Sequence, residues 1–195
     1  MSPKAPAGFT LAELLMAMAL FGLMMAAMAG IQAMASRTQA QQVSDTLVEG
    51  AATLAREAVG RALAGASCVS TPSAGAASDK LTAWENVDPE NGSSPLVPGE
   101  DRAFSHLCMD GGSSLHLYSG GYPMPLIACG AEVSGVEHVL VAGGANLAVS
   151  ARFYRPPDSA NVVLVDYTVE TAGAAPIGRP ARVTHRAQFT LQHAK

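Results

Sequence analysis

The run from Leu14 to Ala35, LLMAMALFGLMMAAMAGIQAMA, holds no charged side chain, and its only strongly polar member is Gln32. At about 1.5 Å per residue, these 22 residues reach across a hydrocarbon core roughly 30 Å thick. A chain that left this segment in water would expose a large apolar surface, so a membrane-spanning helix is expected. Between Ala5 and Arg37 the single ionisable side chain is Glu13, at the edge of the run. A carboxylate there costs a few kcal/mol in lipid unless it has a partner, which points to a task. Lys4 with the terminal amine on one side and Arg37 on the other barely orient the segment, and a short cytoplasmic N-terminus is the default.

Helical patterning continues beyond the apolar run. Val43, Leu47, Ala51, Leu54, Ala58 and Ala62 recur at steps of three and four, with Glu49, Arg56 and Arg61 off that stripe. One helix from Phe9 to Ala64 would be roughly 84 Å long, apolar all round in its first half and amphipathic in its second. The competing reading is an ordinary secretory signal, with Lys4 as its basic region, Leu14 to Met28 as its apolar region and a cut at Ala27-Met28-Ala29. Against it stands the helical pattern, which runs through such a cleavage point without a break.

The rest of the 195 residues suffices for one domain. Residues 65–103 are rich in Gly, Ala, Ser and Pro, with turn signals at Asp88-Pro89, Asn91-Gly92 and Pro98-Gly99, and read as a long loop pinned by Leu81 and Trp84. Residues 104–195 read as a sheet. Runs at 113–119, 126–129, 137–142, 146–154, 161–170 and 181–191 are β-branched or alternating, and the last places Val183, His185, Ala187, Phe189 and Leu191 on one face. The expected class is α+β: a long N-terminal helix whose amphipathic part, residues 36–64, packs on an antiparallel sheet.

Composition narrows the function. Hydrophobic residues at 49% exclude disorder of the whole chain, while a formal charge of -4 and a pI near 5.7 argue against a nucleic-acid partner. No Gly-x-Ser-x-Gly, phosphate-binding Gly loop, His-Glu-x-x-His or Cys-x-x-Cys occurs, so no catalytic residue, metal site or cofactor is expected. His106, His116, His138 and His185 fall on or beside expected strands and read as ordinary surface or edge histidines, and Asp110-Gly111-Gly112 reads as a turn.

The residues Gly8-Phe9-Thr10-Leu11-Ala12-Glu13 ahead of an apolar run resemble the N-terminal signal of type IV pilins and type II secretion pseudopilins. The leader MSPKAPAG ends at Gly8, Phe9 follows, and Glu13 is the fifth residue after the cut. The resemblance implies the pilin fold, with residues 1–8 as leader, 9–35 as the transmembrane half of the helix and 36–195 as a periplasmic or extracellular head. It further implies cleavage between Gly8 and Phe9 by a prepilin peptidase, N-methylation of Phe9, and a role for Glu13 as the counter-charge that guides assembly. A single-pass protein of the bacterial inner membrane would then join other pilin or pseudopilin subunits through an inner-membrane assembly platform. Gly22 and Gly30 admit two readings, a flexible joint in the filament or close helix packing through small residues.

Disulfide-closed loops of pilin heads suggest Cys108 with Cys129. A simple three-strand meander over 104–109, 113–119 and 125–129 would instead put those cysteines on outer strands roughly 9.5 Å apart, too far for a bridge. A bridge using Cys68 therefore stays open. The expected role is a minor pilin at or near the tip of a type IV filament. A minor pseudopilin of a type II secretion system and a secreted binding module with an ordinary signal peptide are the alternatives.

Overall fold

The computed structural model describes residues 10–88, 95–111, 113–144, 146–159, 161–171 and 180–191. They divide into two compact units, Met1–Gln42 and Val43–Lys195. One helix, α1, runs over Leu11–Ala64 and contributes to both. In the first unit every described side chain is exposed, as an apolar helix with no partner must be.

Among the described residues, the second unit adds to the last part of α1 the strands β1 (Cys68–Thr71), β2 (Ala77–Ser78), β3 (Lys80–Glu85), β4 (Ala103–Met109), β5 (Leu115–Gly121), β6 (Glu137–Ala142), β7 (Leu147–Tyr154), β8 (Val162–Thr171) and β9 (Arg182–Thr190). They form a five-stranded sheet, β1-β3-β4-β5-β6, and a four-stranded sheet, β2-β7-β8-β9. Every strand pair is antiparallel. This is an α+β, pilin-like architecture, as expected from the patterning.

Alternation along the strands builds one core. Leu81, Leu107 and Leu115 of the first sheet and Phe153, Val163 and Val165 of the second bury their side chains in the cluster that holds Val48, Ala55, Val59 and Leu63 of α1. Full burial of a Leu, Val or Phe side chain stabilises by about 1.5 to 3 kcal/mol. The opposite face of the first sheet makes a second, smaller cluster of Phe104, Cys108 and Tyr118, covered by Met124, Ile127, Cys129 and Val136. Strand β4 is thus buried on both faces.

Three expectations are corrected. The buried side of α1 is Val48, Ala51, Ala52, Ala55, Ala58, Val59, Ala62 and Leu63, whereas Val43, Leu47 and Leu54 are more than half exposed. Alanines let the helix backbone come close to the sheets, so the buried face turns toward them and away from the larger leucines. Residues 65–103 are not one loop, because β1, β2 and β3 lie there and Leu81 and Trp84 are strand residues of β3. In β3 the alternation of Leu81 and Ala83 against Thr82 and Trp84 spans only four residues, too few to stand out among the surrounding turn signals. The run at 126–129 is not a strand. It belongs to the connection between β5 and β6, which passes over the outer face of the first sheet. The turn signal at Asn91-Gly92 lies outside the described residues.

Candidate functional site

Gly8 and Phe9, expected to flank the cleavage point, lie outside the described residues. Thr10 and Glu13 open the helix beside them. Glu13 Oε2 accepts hydrogen bonds from the backbone N–H of Thr10 at 3.0 Å and from its hydroxyl at 3.0 Å. In return Thr10 Oγ1 accepts from the backbone N–H of Glu13 at 3.3 Å. This reciprocal pair is a capping box, which satisfies backbone donors that a helix start otherwise leaves orphaned. Its Thr-x-x-Glu spacing ahead of an apolar run is plain in the sequence and gives Glu13 a capping role beside its charge. The carboxylate therefore lies at the N-terminal end of α1, bonded to Thr10, the first described residue.

Past Glu13 the helix is apolar over a span long enough to cross a membrane. Gly22 and Gly30 sit inside unbroken helix, and a Cβ at either would meet nothing within 4 Å. In the single chain, neither a break nor a close neighbour marks these positions.

In the second unit, Cys108 of β4 is bonded to Cys129, with their Cα atoms 6.0 Å apart. The distance objection raised by the meander fails because residues 125–129 cross over β4 instead of pairing two strands away. Tyr118 of β5 pins the same segment: its hydroxyl donates to the carbonyl of Ala131 at 2.9 Å and accepts from the N–H of Gly130 at 2.9 Å. Cys68 stays unbridged in β1, and partial burial pushes its thiol above the ordinary range.

The histidines are less ordinary than their sequence setting implied. His106 and His116 are buried and His138 is half-buried. His116 Nδ1 lies 2.9 Å from His138 Nε2, and its Nε2 lies 3.4 Å from Asp110 Oδ2. The His138 ring stacks on Tyr118 with centroids 4.5 Å apart. His106 Nδ1 pairs with Thr82 Oγ1 at 2.8 Å, and burial, with a smaller contribution from Lys80, lowers its pKa. Strand alternation places all three rings on the outer face of the first sheet; only their cross-strand register, invisible to a linear reading, brings two of them together. His185 lies instead in β9, stacked on Tyr167 at 5.4 Å. Asp110 does close a turn, its Oδ1 accepting from the N–H groups of Ser113 and Ser114 at 3.0 and 2.7 Å.

In the second unit, ring stacks and short hydrogen bonds thus fix a disulfide-closed segment on the first sheet. The model of the prokaryotic N-terminal methylation motif matches residues 3–29, which include Gly8, Phe9 and Glu13. No curated protein and no solved structure matches the chain. The chain thus carries, ahead of a pilin-like α+β fold, the prepilin-type N-terminal methylation motif.

Proposed function

We propose that the protein is a structural subunit, a minor pilin, of a type IV pilus or related filament, cut between Gly8 and Phe9 by a prepilin peptidase and assembled at or near the tip. The observation that carries this reading is the methylation motif matched at residues 3–29, in which Gly8-Phe9 precedes the apolar run instead of following it. An ordinary signal is cut behind its apolar region and would release the head, whereas a cut at Gly8 keeps the anchor on the mature chain. Glycine at that position leaves the backbone able to lie extended in a protease site. Residues 9–35 would then hold the protein in the inner membrane until assembly, with the head, residues 36–195, on the periplasmic side.

The cut creates an ammonium at Phe9 beside lipid. Glu13 is a carboxylate at the matching depth, and opposite charges in a low dielectric attract strongly, while either alone is costly. Pairing the amine of one subunit with Glu13 of its neighbour makes assembly the favourable outcome. The length of the head supports a minor subunit over a repeating major one. A type II secretion pseudopilus would use the same motif chemistry, and the genes adjoining this one would separate the two systems.

Intact mass of the protein extracted from membranes tests the reading. A chain that starts at Phe9 and carries one added methyl group is the expected result. A start at Gly30, or retention of Met1 to Gly8, would overturn it.

A further inference from the structure

Strand β6 ends the first sheet, and among the described residues nothing pairs with its outer edge. Native sheets guard such edges with Lys, Pro, covering segments or bulges. Strand β6 contains no Lys, Arg or Pro, and its Val139 and Leu140 are 44% and 51% exposed. A register shift where Leu115 and His116 oppose Ala142 and Leu140 leaves Glu137 to Val139 regular. Between this edge and α1 opens a groove of about 370 Å³, with Leu54, Leu117 and Val141 among its apolar walls and Glu57, Glu85 and Glu137 as its carboxylates. The one cation of that groove, Arg61, is held by Glu57 at 2.9 Å. An apolar slot rimmed by acid beside an open strand calls for an extended, basic and apolar partner.

The opposite edge of the same head has that character. Strand β9 ends the second sheet and holds Arg182, His185 and Arg186 with no carboxylate. Its helix-facing side carries the partly buried Val183 and Phe189. A recess of about 280 Å³ beneath it is lined by Arg56 of α1 together with Tyr167 and His185. Asp166 already clamps Arg186 at 2.6 and 2.9 Å, which leaves Arg56 as the cation of the recess, with the His185 ring beside it as a hydrogen-bonding group.

We propose that the β6 edge and its groove receive the β9 edge of a second copy of this chain. Main-chain pairing would join the first sheet of one head to the second sheet of the next, Val183 and Phe189 would cover the apolar slot, and Arg56 and His185 would approach Glu137 and Glu85. Because the two surfaces differ, the contact is head-to-tail, so two copies near the tip share one such contact and leave one edge of each kind for neighbouring subunits. This rests on the filament-subunit reading and adds to it lateral contact between copies.

The test uses full-length chains extracted from membranes into detergent, one batch isotopically light and one heavy, each with benzoylphenylalanine at Leu140. After mixing and illumination, heavy–light cross-links from position 140 to residues 182–190 are expected. Glu137→Arg and Arg56→Glu should each lower that yield about fivefold, and mixing the two variants should restore it, since reversed charges then meet. A mere loss of folding could not produce such rescue. Cross-links confined to one chain, cross-links to other segments, or yields indifferent to both reversals would overturn the contact. The mass of the same samples separates the two claims: a start at Phe9 without heavy–light cross-links rejects the contact alone, and cross-links on a chain starting elsewhere reject the filament reading alone.

Discussion

Thr10 and Glu13 hold each other through three hydrogen bonds, so the carboxylate expected to take part in assembly also caps the helix that carries it. The two roles separate by substitution. Gln at position 13 keeps the capping box without the charge, whereas Ala removes both and costs the helix start about 1 kcal/mol. Both Glu13→Gln and Glu13→Ala should still be cut at Gly8 and remain in the membrane as processed protein, with recovery in sheared filaments falling about tenfold or more, because an unpaired ammonium in lipid costs several kcal/mol. Normal recovery of Glu13→Gln alongside poor recovery of Glu13→Ala would assign Glu13 to capping and remove the assembly role.

Cys108 and Cys129 close a segment with a sequence separation of 21 residues. A loop of that size restricts the unfolded chain by about 3 kcal/mol in the chain-entropy picture. Replacing both cysteines by Ser should lower head stability by that order, read as a shift in urea midpoint from the fluorescence of Trp84, the sole tryptophan, which sits 6.1 Å from the Phe104 ring. Tyr118→Phe in the same assay should cost about 1 to 2 kcal/mol, because Gly130 N–H and Ala131 C=O lose the hydroxyl that serves them. An unchanged midpoint for the double Ser variant would mean that the segment is held by its apolar contacts alone.

The parts legible in the sequence are those carried by local pattern. The unbroken apolar helix, the strands from β5 onward apart from the run at 126–129, and the motif before the helix all repeat at short spacing or in a fixed string. The face of α1 is legible at Ala51, Ala58 and Ala62 and fails at Val43, Leu47 and Leu54, because large apolar side chains outweigh alanines in a hydrophobic pattern while close packing favours the small Ala52 and Ala55. The Asp110–His116–His138 row was not legible, since it depends on β5 and β6 lying side by side with a shifted register. The Cys108–Cys129 bond was open for a related reason: whether residues 125–129 pair as a strand or cross over β4 is decided by apolar burial of Met124, Ile127 and Val136 against Phe104 and Tyr118.

His106 should make the head sensitive to acid. Its pKa is lowered in the folded chain by burial and by Lys80, while the unfolded chain titrates in the ordinary range near 6.5. Below that value the unfolded state binds the proton more readily, so stability is whole above about pH 6.5 and falls as pH drops through the depressed folded value. His106→Gln, uncharged throughout and able to keep a bond to Thr82, should lose less stability between pH 7 and pH 5 than the unaltered chain. Parallel stability curves in urea across that range would exclude His106 as the source.

Gly143 and Gly144 both have positive φ, at 113° and 124°, a region that L side chains rarely adopt. Their surroundings differ. A Cβ on Gly143 would lie 2.6 Å from the carbonyl oxygen of Ser113 and 2.6 Å from Cα of Ser114, both backbone atoms, whereas a Cβ on Gly144 meets nothing within 4 Å. The first clash cannot be relieved by a rotamer change. Ser113 and Ser114 are themselves fixed by the Asp110 side chain, and the Ser113 carbonyl accepts from Val149 N–H at 2.8 Å. Gly143→Ala must therefore shift the turn that ties the β4–β5 connection to β7. It should cost about 2 to 3 kcal/mol, against about 1 kcal/mol for Gly144→Ala, which bears the conformational strain alone. Urea unfolding of both variants checks the difference. Equal losses would show that the turn gives way at no cost and that the contact of residue 143 with Ser113 does not hold the two sheets in register.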